Sequence, residues 1–305
     1  MDVASQKSTN GRSILGSIPG IFNWPRFRLQ LFALVAPAAA QERALTRFLT
    51  PPRPRVEFAK TNVLTNLSSH RFCVKMTTAL GGFEEATDLA VTVWGRGPAV
   101  YLVHGWGGRS SQWSSFVEPL AQAGLTAVVF DAPGHGDSPA RRTSIPHFTA
   151  ALQAVVQSVG PARAVVGHSL GGVAGSLALH RGLRAERIAL LGSPADPTEF
   201  FAGFLERIGF PSHLESAIWE KFETEYGFDS NELRVRPPRV EPPRALVVHD
   251  RDDREVPYAS ADRIVRVWPE ATLVSTSGLG HQRILRDKTV IERVVAFAAG
   301  LDRQG

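Results

Sequence analysis

The sequence predicts an α/β fold: a mostly parallel, twisted sheet covered by helices on both faces, with a helical cap inserted over the strand ends. Three observations carry that expectation. From residue 99 onward, short β-branched or apolar runs alternate with longer helical patterns, the rhythm of strand–helix units that cover a parallel sheet from both sides. The rhythm lapses once, between Pro194 and Pro243, where eight aromatic side chains fall at largely helical spacings. The chemically unusual motifs each lie just after a strand candidate, and open sheets of this kind bind ligands at the carboxyl ends of their strands.

In chain order, His70–Thr77 and Leu89–Trp94 alternate on either side of Gly81-Gly82 and are read as an antiparallel hairpin. Strands are then expected at Ala99–Val103, Thr126–Phe130, Arg163–Val166, Arg187–Leu191, Ala245–His249 and Ala271–Ser275. Between them, apolar periodicity places helices at Ser111–Ala123, Ile145–Val159, Leu170–Arg181, Ala259–Trp268 and Arg283–Ala299. The aromatic segment, about residues 194–243, is too long for a simple crossover. Its aromatics exceed what a helix pair can bury alone, so some of them should face the site beneath.

Upstream, the apolar run Leu29–Ala40 continues into the helical pattern Gln41–Leu49 and stops at Pro51-Pro52. Residues 27–49 are read as one amphipathic helix packed on the domain, and residues 1–20 as poorly ordered. Ala38-Ala39-Ala40 has the look of a signal-peptidase site. The run before it starts far into the chain and is interrupted by Pro37, which favours a cytoplasmic protein, export being the alternative. The expected organisation is an N-terminal extension over 1–68 and one α/β domain over 69–305 that contains the cap.

Composition narrows the function classes. Hydrophobic residues make up 43% of the 305 and charged residues 21%, enough for a sizeable core. No stretch approaches the ~20 continuous apolar residues of a membrane span, so stable membrane insertion is not expected. The net charge of +5 comes from scattered basic residues, densest at Arg141-Arg142, Pro51–Arg55 and Arg234–Arg244. None alternates with aromatics as a nucleic-acid surface would. Cys73 is the single cysteine, so no internal disulfide can form, and its neighbours Phe72 and Val74 suggest a buried strand thiol. No histidine pair has metal-ligand spacing, and neither a metal nor a cofactor is expected.

The chemistry gathers at three turns. Gly167-His168-Ser169-Leu170-Gly171 follows one strand candidate and opens a helix. In that context the serine sits on a tight strand-to-helix turn that lifts Oγ above the sheet. The next amide, on Leu170, then lies at a helix N-terminus, where it can bind an anion. His104-Gly105-Trp106-Gly107-Gly108 follows the strand Ala99–Val103. Acyl transfer develops charge on a carbonyl oxygen, and a second amide from this loop, on Trp106, would complete an oxyanion hole with Leu170.

These motifs, together with Asp131–Ser138, His249–Asp253 before Val256-Pro257, and Gly280-His281, resemble the α/β-hydrolase superfamily, in order, from about Ala99 to Ala299. The resemblance is to the serine esterase, lipase and acyl-hydrolase type, because the dehalogenase and epoxide-hydrolase branches carry aspartate where Ser169 stands. It implies a triad in the order nucleophile, acid, base. The family's Gly-x-x-Asp turn places the acid at Asp253, with Asp250 standing in the glycine's position. Three carboxylates share that turn, so Asp252 stays open as the second choice and Asp196 as a third. His281 has the best claim among nine histidines to be the base, following the last strand and a flexible Ser275–Gly280 loop. His168 and His104 are read as structural hydrogen-bonders.

The expected activity is hydrolysis of a carboxylic ester with an apolar acyl or alcohol group, through a covalent acyl-serine. The partner is a small-molecule acyl substrate. Thioesters, lactones, small amides or a carbon–carbon bond would suit the same triad, and a non-catalytic small-molecule-binding protein on this fold is the reading from another class.

Overall fold

The structure is a computed structural model that describes residues 24–52, 69–80, 83–226 and 228–301. One sheet of eight strands organises it: β1 (Ser69–Leu80), β2 (Phe83–Trp94), β3 (Ala99–Val103), β4 (Thr126–Phe130), β5 (Ala162–His168), β6 (Ala185–Leu191), β7 (Arg244–Asp250) and β8 (Thr272–Thr276). Their spatial order is β1-β2-β4-β3-β5-β6-β7-β8. β1 and β2 form the expected hairpin, and β2 meets β4 antiparallel. All later pairings are parallel.

The central strands β3 and β4 are buried along their whole length because helices cover both faces. In β3 and β4 the period of two is plain. Tyr101, Val103, Val128 and Phe130 pack into one core with α4 (Ile145–Val159), α5 (Leu170–His180) and α8 (Ala259–Val267). Val100, Leu102, Ala127 and Val129 pack into the other with α3 (Ser114–Gln122) and α10 (Lys288–Ala299). A strand sandwiched this way has no solvent face, and continuous apolar sequence follows.

The insertion between β6 and β7 contains α6 (Thr198–Ile208) and α7 (Glu215–Tyr226). Its core is shared with α2 (Pro37–Leu49). Ala40, Ala44, Leu45 and Leu49 join Phe201, Phe204, Ile218 and Phe222 in one cluster, and the Phe48 ring lies 4.6 Å from that of Phe201.

Four expectations need correcting. The single helix over 27–49 is two helices, α1 (Trp24–Val35) and α2, broken at Ala36, whose φ of −140° and ψ of 68° are not helical. Pro37 forces the break by crowding the residue before it out of the α region. Only α2 packs as anticipated; in α1 the side chains from Gln30 to Val35 are exposed apart from Ala33. The C-terminal helix begins at Lys288 rather than Arg283, where Asp287 Oδ1 caps the Val290 amide at 3.0 Å. Cys73 is exposed: Val74 and Met76 point into the core, so strand alternation turns Cys73 outward. The segment before His281 is shorter and better held than a flexible 275–280 loop, because β8 runs to Thr276 and His281 lies in the short helix α9 (Gly280–Arg283). The reading of residues 1–20 falls outside the described residues.

Candidate active site

Ser169 links β5 to α5 with φ 53° and ψ −125°, a conformation that costs a non-glycine residue roughly 1–3 kcal/mol. The surroundings enforce it. Its amide donates to Leu191 O at 2.9 Å, and its carbonyl accepts from the Gly172 amide at 3.0 Å. The turn is so tight that a Cβ on Gly167 would lie 2.4 Å from Gly172 Cα, which explains the small residues around the serine.

The His104–Gly108 loop passes directly against this turn: a Cβ on Gly105 would come within 2.9 Å of Ser169 Cβ. Two buried imidazoles hold the loop. His104 Nε2 accepts from the Ala132 amide at 3.0 Å, leaving its proton on Nδ1 to donate to Gly105 O at 2.7 Å. His135 Nε2 accepts from the Gly107 amide at 3.0 Å while Nδ1 donates to Pro133 O. Both rings must be neutral to accept from amides. Burial agrees, lowering His104 and pushing His135 down to about 3. The Asp131–Ser138 stretch therefore supports the glycine loop that carries Trp106.

His281 Nδ1 lies 2.7 Å from Asp253 Oδ2. The other Asp253 oxygen accepts from the amides of Glu255 and Val256, at 2.8 and 2.9 Å. Burial pulls the Asp253 carboxyl upward, but the bonds from His281 and the two amides outweigh it and hold the group below its ordinary value. Of the three candidate acids, Asp253 is the one that meets His281. Asp252 is exposed and accepts from the Gly278 amide. Asp196 is engaged with Thr198 and Arg234. His168, lowered to about 3 by burial and then by the charge of His281, donates from Nε2 to His281 O at 2.9 Å.

A cavity of about 450 Å³ unites the parts. Ser169, Leu170, Trp106 and His281 line it, as do Phe201, Phe204 and Trp219 of the insertion and Phe48 of α2. Asp253 stands behind His281. Among the described residues no cluster of three metal-ligating side chains occurs, and no helix is long and apolar enough to cross a membrane.

Residues 100–295 match the family model described as the alpha/beta hydrolase family. The chain belongs to that family. Among its curated relatives is a pimeloyl-acyl-carrier-protein methyl ester esterase of Xanthomonas campestris, 33% identical over 134 residues, which cover 43% of this chain and 48% of the relative. The chain thus spans about half the length of that relative. Among solved structures, an esterase from Exiguobacterium antarcticum aligns with TM-score 0.54 at 17% identity over 74% of this chain and 99% of its own. A membrane phospholipase A aligns with TM-score 0.58 at 20% identity over 92% and 99%. At these identities the two structures speak for the shared fold alone.

Within this α/β-hydrolase fold, three site features were not read from the sequence. Gly192, just after β6, has φ 55°, and a Cβ there would approach His281 Nδ1 to 3.2 Å. Any larger residue would press on the Asp253–His281 pair, and a glycine directly after a strand was the available signal. Asp250, fully buried in the place of the family's glycine, accepts from the Leu279 amide at 3.0 Å and from Thr276 Oγ1 at 2.7 Å. It therefore ties down the turn that leads to His281. The wall from α2 had no local signal, since it depends on a contact across more than a hundred residues.

Proposed function

We propose that this protein hydrolyses carboxylic esters with an apolar acyl or alcohol group through an acyl-serine. The observation that carries the reading is the Asp253–His281 hydrogen bond beside one apolar cavity that Ser169 also lines. With the Nδ1 proton held by Asp253, His281 Nε2 keeps its lone pair for the Ser169 hydroxyl proton. Oγ attacks the ester carbonyl, and the amides of Trp106 and Leu170 meet the resulting oxyanion. Such a donor contributes ~2.7–4 kcal/mol in comparable sites. The imidazolium returns the proton to the departing alkoxide, leaving acyl-Ser169. Water, deprotonated by His281, then releases the acid and restores the serine. The esterase relatives support the same reaction class.

The aromatic insertion acts as the cap that selects the substrate. Each methylene that enters a dry wall of this kind contributes ~0.8 kcal/mol, or about fourfold in kcat/KM. Activity on p-nitrophenyl esters should therefore rise from acetate to a medium-chain optimum and fall once the cavity is full. Phe204→Ala or Trp219→Ala should move the optimum while acetate is still turned over. A flat or steadily falling profile that neither substitution alters would overturn the apolar-substrate reading.

A further inference from the structure

Half of the eight large hydrophobic residues exposed among the described residues lie within five positions of α1. Leu31 is 46% exposed, Phe32 38%, Leu34 69% and Val35 85%. At 3.6 residues per turn these four side chains span an arc of about 160°. Ala33, which is buried, falls on the opposite side of the helix and packs with Ala40 and Ala44 of α2. Over the turn Leu31–Val35 the helix is therefore seated by one face and leaves an apolar arc on the other. A surface helix of a globular protein normally shows the reverse pattern, with polar residues outward.

Charge decides what covers the arc. Along its 12 residues α1 carries Arg26 and Arg28 and no acidic residue. A second copy docked through the same helix would offer these cations no carboxylate from that helix. An anionic bilayer offers acyl chains for the arc and negative headgroups for the cations. We propose that α1 docks this protein on the surface of an anionic lipid bilayer. Its 12 residues extend about 18 Å, short of the ~30 Å hydrocarbon core, so the helix lies in the interface and does not span it. Through α2, whose Phe48 and Leu49 line the cavity, docking would hold the cavity one helix away from the lipid, a source of apolar substrates.

Docking needs no turnover, so it stands or falls separately from the ester-hydrolase reading. The test uses the full chain carrying Ser169→Ala, to prevent lipid hydrolysis, sedimented with vesicles of phosphatidylcholine alone or mixed with phosphatidylglycerol. The mixed vesicles should bind it, added salt should release it, and neutral vesicles should bind it far more weakly. Wild type should bind like Ser169→Ala. Leu34→Gln and Val35→Gln should each weaken binding at least about tenfold. Arg26→Gln and Arg28→Gln should each weaken it about fivefold. Unchanged thermal unfolding would establish that these variants remain folded. Absence of binding to the mixed vesicles at low salt would overturn the proposal. So would binding that survives both apolar substitutions, or a lipid-free dimer that those substitutions dissociate.

Discussion

Ser169→Ala is expected to lower kcat for ester hydrolysis by ~10³-fold or more, the loss typical when one member of a catalytic unit is removed. The substitution is well suited to isolate chemistry from folding. Alanine is smaller than serine, so the tight packing around the turn is not challenged. It meets the same backbone strain at φ 53° that serine already meets. The Ser169 amide bond to Leu191 O uses only main-chain atoms and survives. Thermal unfolding should stay near wild type, and steady-state kinetics on a p-nitrophenyl ester gives the answer. A variant that keeps a tenth of wild-type activity would remove Ser169 from the mechanism.

The acid assignment has an equally large expected effect. Asp253→Asn should cost ~10⁴-fold in kcat, the size of loss that the corresponding change causes in serine proteases by stabilising the wrong imidazole tautomer. An asparagine carbonyl at the Oδ1 position still accepts from Glu255 and Val256, so the turn keeps its shape. Its amide nitrogen would then face His281 Nδ1 and donate to it, which moves the imidazole proton to Nε2 and removes the base. Asp252→Asn should have little effect, because its exposed side chain needs only an acceptor for the Gly278 amide. The comparison separates neighbouring carboxylates on one turn. If Asp252→Asn proves the more damaging change, the role given to Asp253 is wrong.

How much was legible in the sequence follows from the range of the interactions. β3 and β4 have the bounds that their apolar runs suggest, because a strand buried on both faces writes its burial continuously into the chain. The glycine spacing around Ser169 was readable for a similar reason: the constraint is local, a few atoms across one turn. His281 could be placed near the last strand but not its support, since the bonds from Asp250 and Asp252 join residues 26 to 29 positions apart. The family glycine replaced by Asp250 was noticed as a departure, yet its purpose appears only when the buried carboxylate is seen holding the next turn. Cys73 was misjudged because its neighbours in sequence lie on the opposite face of the strand. The break at Pro37 was visible as a proline in an apolar run, and the periodicity on either side overrode it. α2 as a wall of the cavity lay beyond any local reading.

The most direct measurement of the central claim is covalent labelling. Incubation with a fluorophosphonate, followed by intact mass and peptide mapping, should give one adduct per chain on Ser169. Phosphonylation requires the same activated Oγ and oxyanion site as acyl transfer. Asp253→Asn and His281→Ala should label far more slowly, and Ser169→Ala should not label at all. An unlabelled wild-type protein, or an adduct on another side chain that Ser169→Ala leaves in place, would contradict the account and point to a binding protein built on this fold.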